Sequence, residues 1–433
     1  MGKAEVIKQT LKQTRERRKH QIARTYELKL QNLSRQDLEK LSRLFLEAKW
    51  FYNWVIADLS KLEDENLYKT RLVEVKTPSG FEAREIKALS SQMKQSLVTR
   101  IKESLSSLVA LKAKGHKVGK LRFKRHIRCI PLKQYGNTFS IDFERNRIHV
   151  QGFGRRWFRV LGLHQIPRDA EISHAQLIRK PSGYYLHVVC YLDREKAKLE
   201  LSSRQVPLAV GVDLGIETQI TCSDGTKISW EFPETRRLKK LQRELARKKK
   251  GSRRYRKALE KLRKEYEYLT NCRRDAQSKA IAYLKKFALI AVQVDSVKGW
   301  HRGLFGRKVQ HTGVGAVLSR LRSLGTLVPV VLVDRYQPTS RRCCRCGFVR
   351  DELELSDRVF ECPKCGLVLD RDVNAAVNIA MLGLSVSALA GRIKPALPVD
   401  CGEVTPVEWT ASADAGMVPA SVSRHGEAGS PHF

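Results

Sequence analysis

The sequence has no run of about 18 apolar residues, so it predicts no membrane span. Its first 21 residues are polar and basic without an apolar centre, which argues against a secretory signal. Six of the ten cysteines are scattered, which is not the arrangement expected of a disulfide framework. Together these absences predict a protein of the reducing cytoplasm with no membrane partner.

Acidic residues are also few, since 45 Asp and Glu stand against 82 Lys and Arg, for a formal charge of +37. A surplus this large favours a polyanionic partner, because basic side chains that neutralise phosphates release counterions and so gain binding free energy. The plainer alternative, a basic soluble protein without a nucleic-acid partner, explains the surplus less well.

Four cysteines form two Cys-x-x-Cys pairs, Cys343 with Cys346 and Cys362 with Cys365. This spacing can close a tetrahedral zinc site in which each pair presents two sulfurs to one ion. Four thiolates leave no open coordination position, so the predicted zinc is structural. Cys344 lies inside the first pair and is interpreted as a spectator.

Two aspartates are candidate ligands of a second kind of metal. Asp213 ends the apolar run 208–212, where a lone carboxylate is costly unless it binds a cation or caps a loop. Asp372 follows the last zinc cysteine by seven residues, close to a metal-braced turn. Two carboxylates at one sheet edge can share two divalent ions, and Mg²⁺ is the natural occupant because it prefers oxygen ligands.

Hydrophobic periodicity predicts two kinds of domain. Period-two alternation from Leu121 to Asp193 predicts the short strands of a small β-barrel, with helices inserted after its first strand. From Leu208, strands alternate with helices, which predicts an α/β domain with a mostly buried sheet. Residues from Gly383 onward show no lasting periodicity and are predicted to form a disordered tail.

Three segments together resemble the RuvC-type nuclease of TnpB proteins, the transposon-encoded relatives of compact type V CRISPR effectors. They are the sequence GVDLG at 211–215, the four paired cysteines with the preceding QPTSRRC at 337–343, and DRDVNAA at 370–376. The resemblance extends from Arg24 to Ile379. It implies a mixed α/β fold in which an RNase-H-like (RuvC) nuclease domain carries an inserted zinc ribbon and follows a small, wedge-like β-barrel with an inserted helical recognition domain.

The implied domains follow the chain in order. They are a basic arm with the first barrel strand (1–33), the helical recognition domain (34–118), the barrel (119–206), the nuclease domain (207–340) with a basic helical hairpin (236–286), the zinc ribbon (341–368), the end of the nuclease domain (369–382) and the tail (383–433).

The resemblance implies an RNA-guided, Mg²⁺-dependent endonuclease that cuts double-stranded DNA beside a short adjacent motif. Guide RNA and target DNA are the implied partners, with one structural zinc and two catalytic Mg²⁺ ions as cofactors. The implied location is the prokaryotic cytoplasm, at the nucleoid when the protein is bound to DNA.

This chain departs from the family's Asp, Glu, Asp catalytic set at the middle position. The outer two correspond to Asp213 and Asp372, but Gln293 stands where the family usually has Glu. An uncharged amide is a poor Mg²⁺ ligand. Asp295 lies two residues further on, on the same face of the predicted strand, and is expected to supply the missing carboxylate.

Two alternatives stay open at this stage. If Asp295 does not compensate for Gln293, the chain is an RNA-guided DNA-binding protein with impaired cleavage, acting as a repressor does. A further alternative is a basic zinc-ribbon RNA-binding protein without catalysis.

Basic residues concentrate in two segments that we expect to contact nucleic-acid backbones. The hairpin carries sixteen Lys and Arg against two Glu between Arg236 and Lys264. The candidate contacts are Lys120, Arg122, Lys124 and Arg125 before the barrel, and Arg236, Arg237, Lys248, Lys249, Lys250, Arg253, Arg254, Arg273 and Arg274 in the hairpin.

Overall fold

The computed structural model describes residues 3–294, 296–303, 305–354 and 357–398. The chain divides into two compact units, Met1–Asp193 and Arg194–Phe433. Within the described ranges, no helix combines the length and apolar character needed to cross a membrane.

The first unit combines helices with a predominantly antiparallel set of strands. Its elements are α1 (Lys3–Lys19), β1 (Gln21–Leu30), α2 (Arg35–Ala57), β2 (Leu72–Thr77), β3 (Gly80–Glu85), α3 (Ser91–Ala113), β4 (Cys129–Leu132), β5 (Phe139–Asp142), β6 (Arg147–Val150), β7 (Trp157–Leu161), β8 (Glu171–Lys180) and β9 (Gly183–Asp193).

Seven strands of this unit form one curled antiparallel sheet in the order β4-β8-β9-β1-β7-β6-β5. The predicted strands are therefore present, with β1 placed between β9 and β7 although more than 100 residues of chain separate them. Among the described residues no ladder joins β4 to β5, so closure into a barrel stays a prediction.

The long helix α2 begins at a capping box. The Asp37 backbone N–H donates to Ser34 Oγ at 3.1 Å, and the Ser34 backbone N–H donates to Asp37 Oδ2 at 2.9 Å. Apolar side chains from Leu41 to Val55, at steps of three and four, are buried in one core with the strands. Local capping and one apolar face thus fix the helix inserted after β1.

Residues 72–85 differ from the helical character predicted for 34–118, because they form the β2–β3 hairpin. Leu72 to Thr77 alternate in side-chain character, as a strand does. The turn contains Pro78 and ends at Gly80, whose φ of 127° is in the region that favours glycine. These two turn residues exclude a continuous helix here.

The second unit is an α/β domain. Its elements are α4 (Arg194–Ser202), β10 (Val206–Asp213), β11 (Ile220–Cys222), β12 (Lys227–Ile228), α5 (Arg236–Ala246), α6 (Arg253–Leu284), β13 (Phe287–Gln293), α7 (Val297–Arg302), α8 (Gly306–Thr312), α9 (Gly315–Leu324), β14 (Val330–Val333), β15 (Val359–Glu361), β16 (Val368–Asp370), α10 (Arg371–Ser385) and β17 (Lys394–Pro395).

Its central sheet has the order β12-β11-β10-β13-β14, in which β10, β13 and β14 are parallel and β11 and β12 are antiparallel. Apolar side chains of α6 and α9 share a core with one face of the sheet, and those of α10 share a core with the other. Both faces are therefore covered, which confirms the predicted buried sheet.

The chain after α10 corrects the predicted start of the tail at residue 383. Helix α10 continues to Ser385, and β17 then pairs in parallel with β10, opposite Leu208 and Ala209. Ala396 donates its N–H to the carbonyl oxygen of Ala209 at 2.7 Å and is buried. Residues 399–433 lie outside the described residues. Short β pairing of this kind leaves no strong periodic signal in the sequence.

Candidate metal centres

Asp213 is the last residue of β10 and is half-buried. It pairs with Thr221 on β11, and Thr221 pairs with Lys227 on β12. Directly opposed residues of antiparallel strands project from the same face of a sheet, so these three side chains form one row. Lys227 Nζ lies 2.7 Å from Asp370 Oδ2, so the row adjoins the residue that precedes α10.

Asp370 is the N-cap residue of α10, and its Oδ1 accepts hydrogen bonds from the backbone N–H groups of Asp372 and Val373, both at 3.1 Å. Asp372 is half-buried in the first turn, where a carboxylate is also favoured by the helix dipole. From Val373 to Leu384 every residue is buried, so the rest of the helix is fixed in the core. The start of α10 therefore holds Asp372 on a rigid element.

Gly211 shows how closely α10 lies against β10. A Cβ placed on Gly211 would be 1.8 Å from the carbonyl oxygen of Ala376 and 2.5 Å from the backbone nitrogen of Ala380. Asp213 follows Gly211 by two residues on the same face of β10. Asp372 precedes Ala376 by one helical turn. The Lys227–Asp370 ion pair makes a second contact between this region of the sheet and the start of α10.

Gln293 ends β13, the neighbour of β10, and its side chain is 6% exposed. Its Nε2 donates to the carbonyl oxygens of Asp334 and Gln337, both at 3.1 Å, and its Oε1 accepts from Thr339 Oγ1 at 2.8 Å. The amide is therefore bound to the segment that leads from β14 to the first Cys-x-x-Cys pair. Asp295, expected to replace the family's Glu, lies outside the described residues.

The four paired cysteines converge as predicted. The sulfur atoms of Cys343, Cys346, Cys362 and Cys365 all lie within 4.8 Å of one another. Two of the separations are 3.6 Å, for Cys343 with Cys365, and 3.5 Å, for Cys346 with Cys362. Tetrahedral zinc with Zn–S bonds of about 2.3 Å requires sulfur–sulfur distances of about 3.8 Å, so the donor set fits zinc. Cys344 is not one of the converging sulfurs.

Each pair is shaped by the same backbone turn. Gly347 N–H donates to the Cys343 carbonyl, and Gly366 N–H donates to the Cys362 carbonyl. Both glycines have positive φ, 76° and 68°. Burial raises the pKa of the Cys362 thiol, but hydrogen bonds from the Cys365 and Lys364 backbone and from neighbouring thiols outweigh it, so its pKa is lowered to about 7. At Cys343 and Cys346 burial is the largest effect and the pKa is raised, so the thiolate that metal binding needs is favoured at Cys362 and not at those two positions.

Two buried asparagines that the sequence analysis does not single out attach the ribbon to α10. Asn374 Oδ1 accepts from the Cys344 N–H at 3.0 Å, and Asn374 Nδ2 donates to the Arg342 carbonyl at 2.8 Å. Asn378 Nδ2 donates to the carbonyls of Thr339 and Arg342 at 2.8 and 2.7 Å. Two asparagines four residues apart in an otherwise apolar helix are the sequence signal for this role.

The basic hairpin is formed by α5 and α6, packed through the buried side chains of Leu238, Leu262 and Leu269. Of its sixteen Lys and Arg between Arg236 and Lys264, all but Lys248 are exposed. Arg274 is exposed as well. Arg273 differs, because its Nη1 donates to the Gln310 carbonyl at 2.7 Å and burial lowers its pKa. Arg273 therefore has a structural role in this state of the protein.

The second basic segment, 120–125, forms no helix or strand and is exposed apart from Leu121, which is half-buried. Asn53 fixes it by donating to the Lys124 carbonyl at 3.0 Å and accepting from the Lys124 N–H at 2.8 Å. Lys124 Nζ lies 4.4 Å from the centroid of the Tyr52 ring. Lys120, Arg122 and Arg125 remain exposed, so a polyanion can reach them.

Two family models match this chain, one entirely within the second unit and one that begins five residues before it. The model described as "Cas12f1-like, TNB domain" matches residues 326–379, and the model described as "Probable transposase" matches residues 189–298. The first match includes the four cysteines and Asp372, and the second includes Asp213 and the basic hairpin.

Relatives with similar sequences carry consistent names. The chain is 36% identical over 251 residues to a "Putative RNA-guided DNA endonuclease" of Streptomyces pristinaespiralis, which covers 55% of this chain and 59% of that relative. It is 25% identical to "Putative RNA-guided DNA endonuclease InsQ" of Escherichia coli (strain K12), covering 61% and 69%. It is 24% identical to a "TnpB-like protein" of Aquifex aeolicus (strain VF5), covering 53% and 83%.

One solved structure, titled "Cryo-EM structure of the Cas12f1-sgRNA-target DNA complex", aligns with 80% of this chain and 83% of its own, at 13% identity and a TM-score of 0.41. That score is too low to add to the fold described above.

The fold and the site define a mixed α/β protein in which a four-cysteine ribbon is fastened to a helix that begins beside an acidic sheet edge. The matched family models and the named relatives show that the chain is similar to TnpB proteins, and it spans about 59% of the length of the Streptomyces relative.

Proposed function

We propose that this protein is an RNA-guided endonuclease that cuts double-stranded DNA with a carboxylate site in its second unit. The observation that carries the proposal is the packing of β10, which ends at Asp213, against α10, which carries Asp372 in its first turn. The close approach of Gly211 to Ala376 and the Lys227–Asp370 ion pair show this packing. The printed names of the Streptomyces and Escherichia coli relatives support the same activity.

The strand order supports an RNase-H-like nuclease fold. Three neighbouring strands, β12, β11 and β10, are antiparallel, and β13 and β14 then continue the sheet parallel to β10. Asp213 lies at the carboxyl end of β10, the edge at which open α/β sheets bind ligands. We propose the same bounds as the sequence predicts for the recognition domain (34–118), the barrel (119–206) and the nuclease domain (207–340).

Asp213, Asp372 and Asp295 are the residues proposed to hold Mg²⁺. Carboxylate oxygens suit Mg²⁺, and both described aspartates are half-buried, so neither is sealed from solvent or substrate. When bound, a Mg²⁺ pair supplies activation of water and stabilisation of the leaving oxygen in phosphodiester hydrolysis. The chain's own contribution is placement, since Asp370 caps the helix that carries Asp372 and β10 carries Asp213.

Guide RNA and target DNA are the proposed partners. The exposed basic hairpin follows Asp213 in the same unit, and its charges can neutralise a phosphate backbone. In this proposal the base pairing of the guide selects the target, and the first unit recognises the adjacent motif, with the segment 120–125 contacting the backbone.

The test is Mg²⁺-dependent cleavage of a double-stranded target library by protein co-expressed with RNA from its own flanking DNA. We expect wild type to cut and Asp213→Asn, Asp295→Ala and Asp372→Asn to fail. Guided binding without any Mg²⁺-dependent cleavage by wild type would contradict the endonuclease proposal. If Asp295→Ala alone keeps full cleavage, the assignment of Asp295 is wrong.

A second candidate function is guided DNA binding without cleavage, and the bonding of Gln293 favours it. The amide replaces a carboxylate and is committed to three hydrogen bonds. Occupancy of a promoter-borne target, measured as reduced transcription with the target DNA intact, would establish this alternative. Target cleavage in the same cells would exclude it.

A further inference from the structure

Gln293 is bonded in a way that only an amide can satisfy. Two carbonyl oxygens, those of Asp334 and Gln337, lie 3.1 Å from one end of its side chain, and a hydroxyl, that of Thr339, lies 2.8 Å from the other. Two carbonyls need a donor with two N–H groups, and a hydroxyl can donate to the amide oxygen. The side chain is 6% exposed, so water cannot substitute for these partners at low cost.

A carboxylate of the same size at position 293 could not donate the two hydrogen bonds that the amide donates to carbonyl oxygens. Ionised Glu has no donor, so an oxygen would face the two carbonyls that now receive N–H groups. A buried acceptor opposed to two acceptors has no compensating bond, and the segment 334–339 would have to move away from β13.

The same segment is bonded to α10 on its other side. The Thr339 carbonyl accepts from Asn378 Nδ2 at 2.8 Å, and Asn378 and Asn374 both donate to the Arg342 carbonyl. Gln293 on the sheet, Thr339 in the connection and Asn378 on the helix thus form one chain of hydrogen bonds. Cys343, the first zinc cysteine, follows Arg342 directly.

We propose that Gln293 is a positioning residue that fastens the zinc ribbon to the sheet edge beside Asp213, rather than a degenerate copy of a metal ligand. Restoring the family's residue by Gln293→Glu therefore loosens the ribbon instead of improving a nuclease. The inference rests on the proposed function only in treating Asp213 as part of a catalytic site, and the bonding argument does not depend on cleavage.

The test measures zinc release from the full-length protein to a chromogenic chelator, without nucleic acid, at pH 7.5. We expect Gln293→Glu to release zinc roughly 10-fold faster than wild type, in line with the effect of removing an outer-shell partner. Gln293→Met keeps the side-chain length and adds no charge, so we expect a smaller increase in the rate of zinc release. This variant replaces Gln293→Glu in the test if Gln293→Glu does not fold.

Gln219 provides a matched control. It is 1% exposed, its Nε2 donates to the Ile216 and Glu217 carbonyls at 2.7 and 3.0 Å, and its Oε1 accepts from the Trp230 N–H. Gln219→Glu therefore meets the same chemical conflict away from the ribbon. We expect it to lower the melting temperature while leaving zinc release at the wild-type rate.

A double-mutant cycle separates positioning from general destabilisation. Gln293→Met and Thr339→Val remove two ends of one hydrogen bond, so their effects on zinc release should be less than additive. Three results would overturn the proposal. The effects of Gln293→Met and Thr339→Val on zinc release could be additive, or Gln293→Glu and Gln219→Glu could release zinc equally fast. Gln293→Glu could also release zinc at the wild-type rate and cleave DNA faster than wild type. If the zinc-release results are as expected but the wild-type protein does not cleave DNA, the proposed function is wrong and the role of Gln293 as a positioning residue stands.

Discussion

The backbone of Gly211 lies so close to α10 that a Cβ there would be 1.8 Å from the carbonyl oxygen of Ala376. No side-chain rotation can relieve such a contact, because both partners are backbone. The glycine is therefore required by helix packing in an otherwise apolar strand, and the same contact sets the distance between the elements that carry Asp213 and Asp372.

Gly211→Ala is expected to destabilise the second unit by about 3 kcal/mol or more, because α10 must move off β10. Urea unfolding followed by circular dichroism measures the loss. Gly119→Ala is the control, since a Cβ on Gly119 meets no heavy atom within 4 Å, and it should leave the free energy of unfolding almost unchanged. Equal stability of the two variants would refute the packing argument.

Asp213→Asn and Asp372→Asn are each expected to reduce cleavage by more than about 100-fold, because each removes a proposed ligand charge. Target binding should persist, since neither change removes a basic residue. Single-turnover cleavage and filter binding of the guide-loaded protein separate the two effects. The exposed Asp351, changed to Asn, is the control and should cut at the wild-type rate.

Cys346→Ser is expected to release the zinc and unfold the ribbon, because three thiolates and a hydroxyl bind the ion far less tightly. Cys344→Ser should retain one zinc per chain, since its sulfur is outside the converging set. Zinc content by mass spectrometry compares the two variants. Zinc loss from Cys344→Ser at full folding would show that the ligand set is wrong.

Replacing Lys248, Lys249 and Lys250 by Gln is expected to weaken nucleic-acid binding and to lower the slope of log K against log salt by up to about 2–3, close to one per lost phosphate contact. Titrations at several salt concentrations give the slope. The control changes Lys19, Lys87 and Lys279, which already pair with acidic side chains. If the control variant shows an equal change in the slope of log K against log salt, the hairpin does not contact nucleic acid in the way proposed.

The carboxyl group of Glu27 is expected to make the stability of the first unit depend on pH. Burial raises its pKa, but hydrogen bonds from His187 and Lys180 and their charges outweigh this and hold the pKa at about 2. A depressed carboxyl pKa stabilises the fold above the ordinary value of 4.5, and that stability is lost as the pH falls towards 2. The side chain is 42% exposed, so screening limits the contribution to about 1 kcal/mol.

Glu27→Gln should therefore reduce the free energy of unfolding at pH 7, and its difference from wild type should shrink as the pH falls from about 4.5. Urea unfolding from pH 7 to pH 3 gives the curve. Glu39→Gln, in an exposed ion pair with Arg35, is the control and should show little difference at any pH. A constant difference for Glu27→Gln would contradict the assignment.

Features that depend on local spacing and residue chemistry could be predicted from the amino-acid sequence. Two Cys-x-x-Cys pairs, each followed by glycine, predict four converging sulfurs, and the short apolar run that ends at Asp213 is typical of a buried strand with a polar end. The sequence also predicts that the hairpin is exposed, because sixteen like-charged side chains cannot be buried together.

Tertiary structure decided the features that depend on partners distant in sequence. Whether position 293 serves a metal or a carbonyl pair depends on where residues 334–339 lie, about 40 positions away, and only the packing of β14 beside β13 places them. The pairing of β17 with β10, about 190 positions earlier in the chain, has the same origin. Short strands gain their stability from the neighbours that complete their hydrogen bonds, and a single chain segment does not reveal those neighbours.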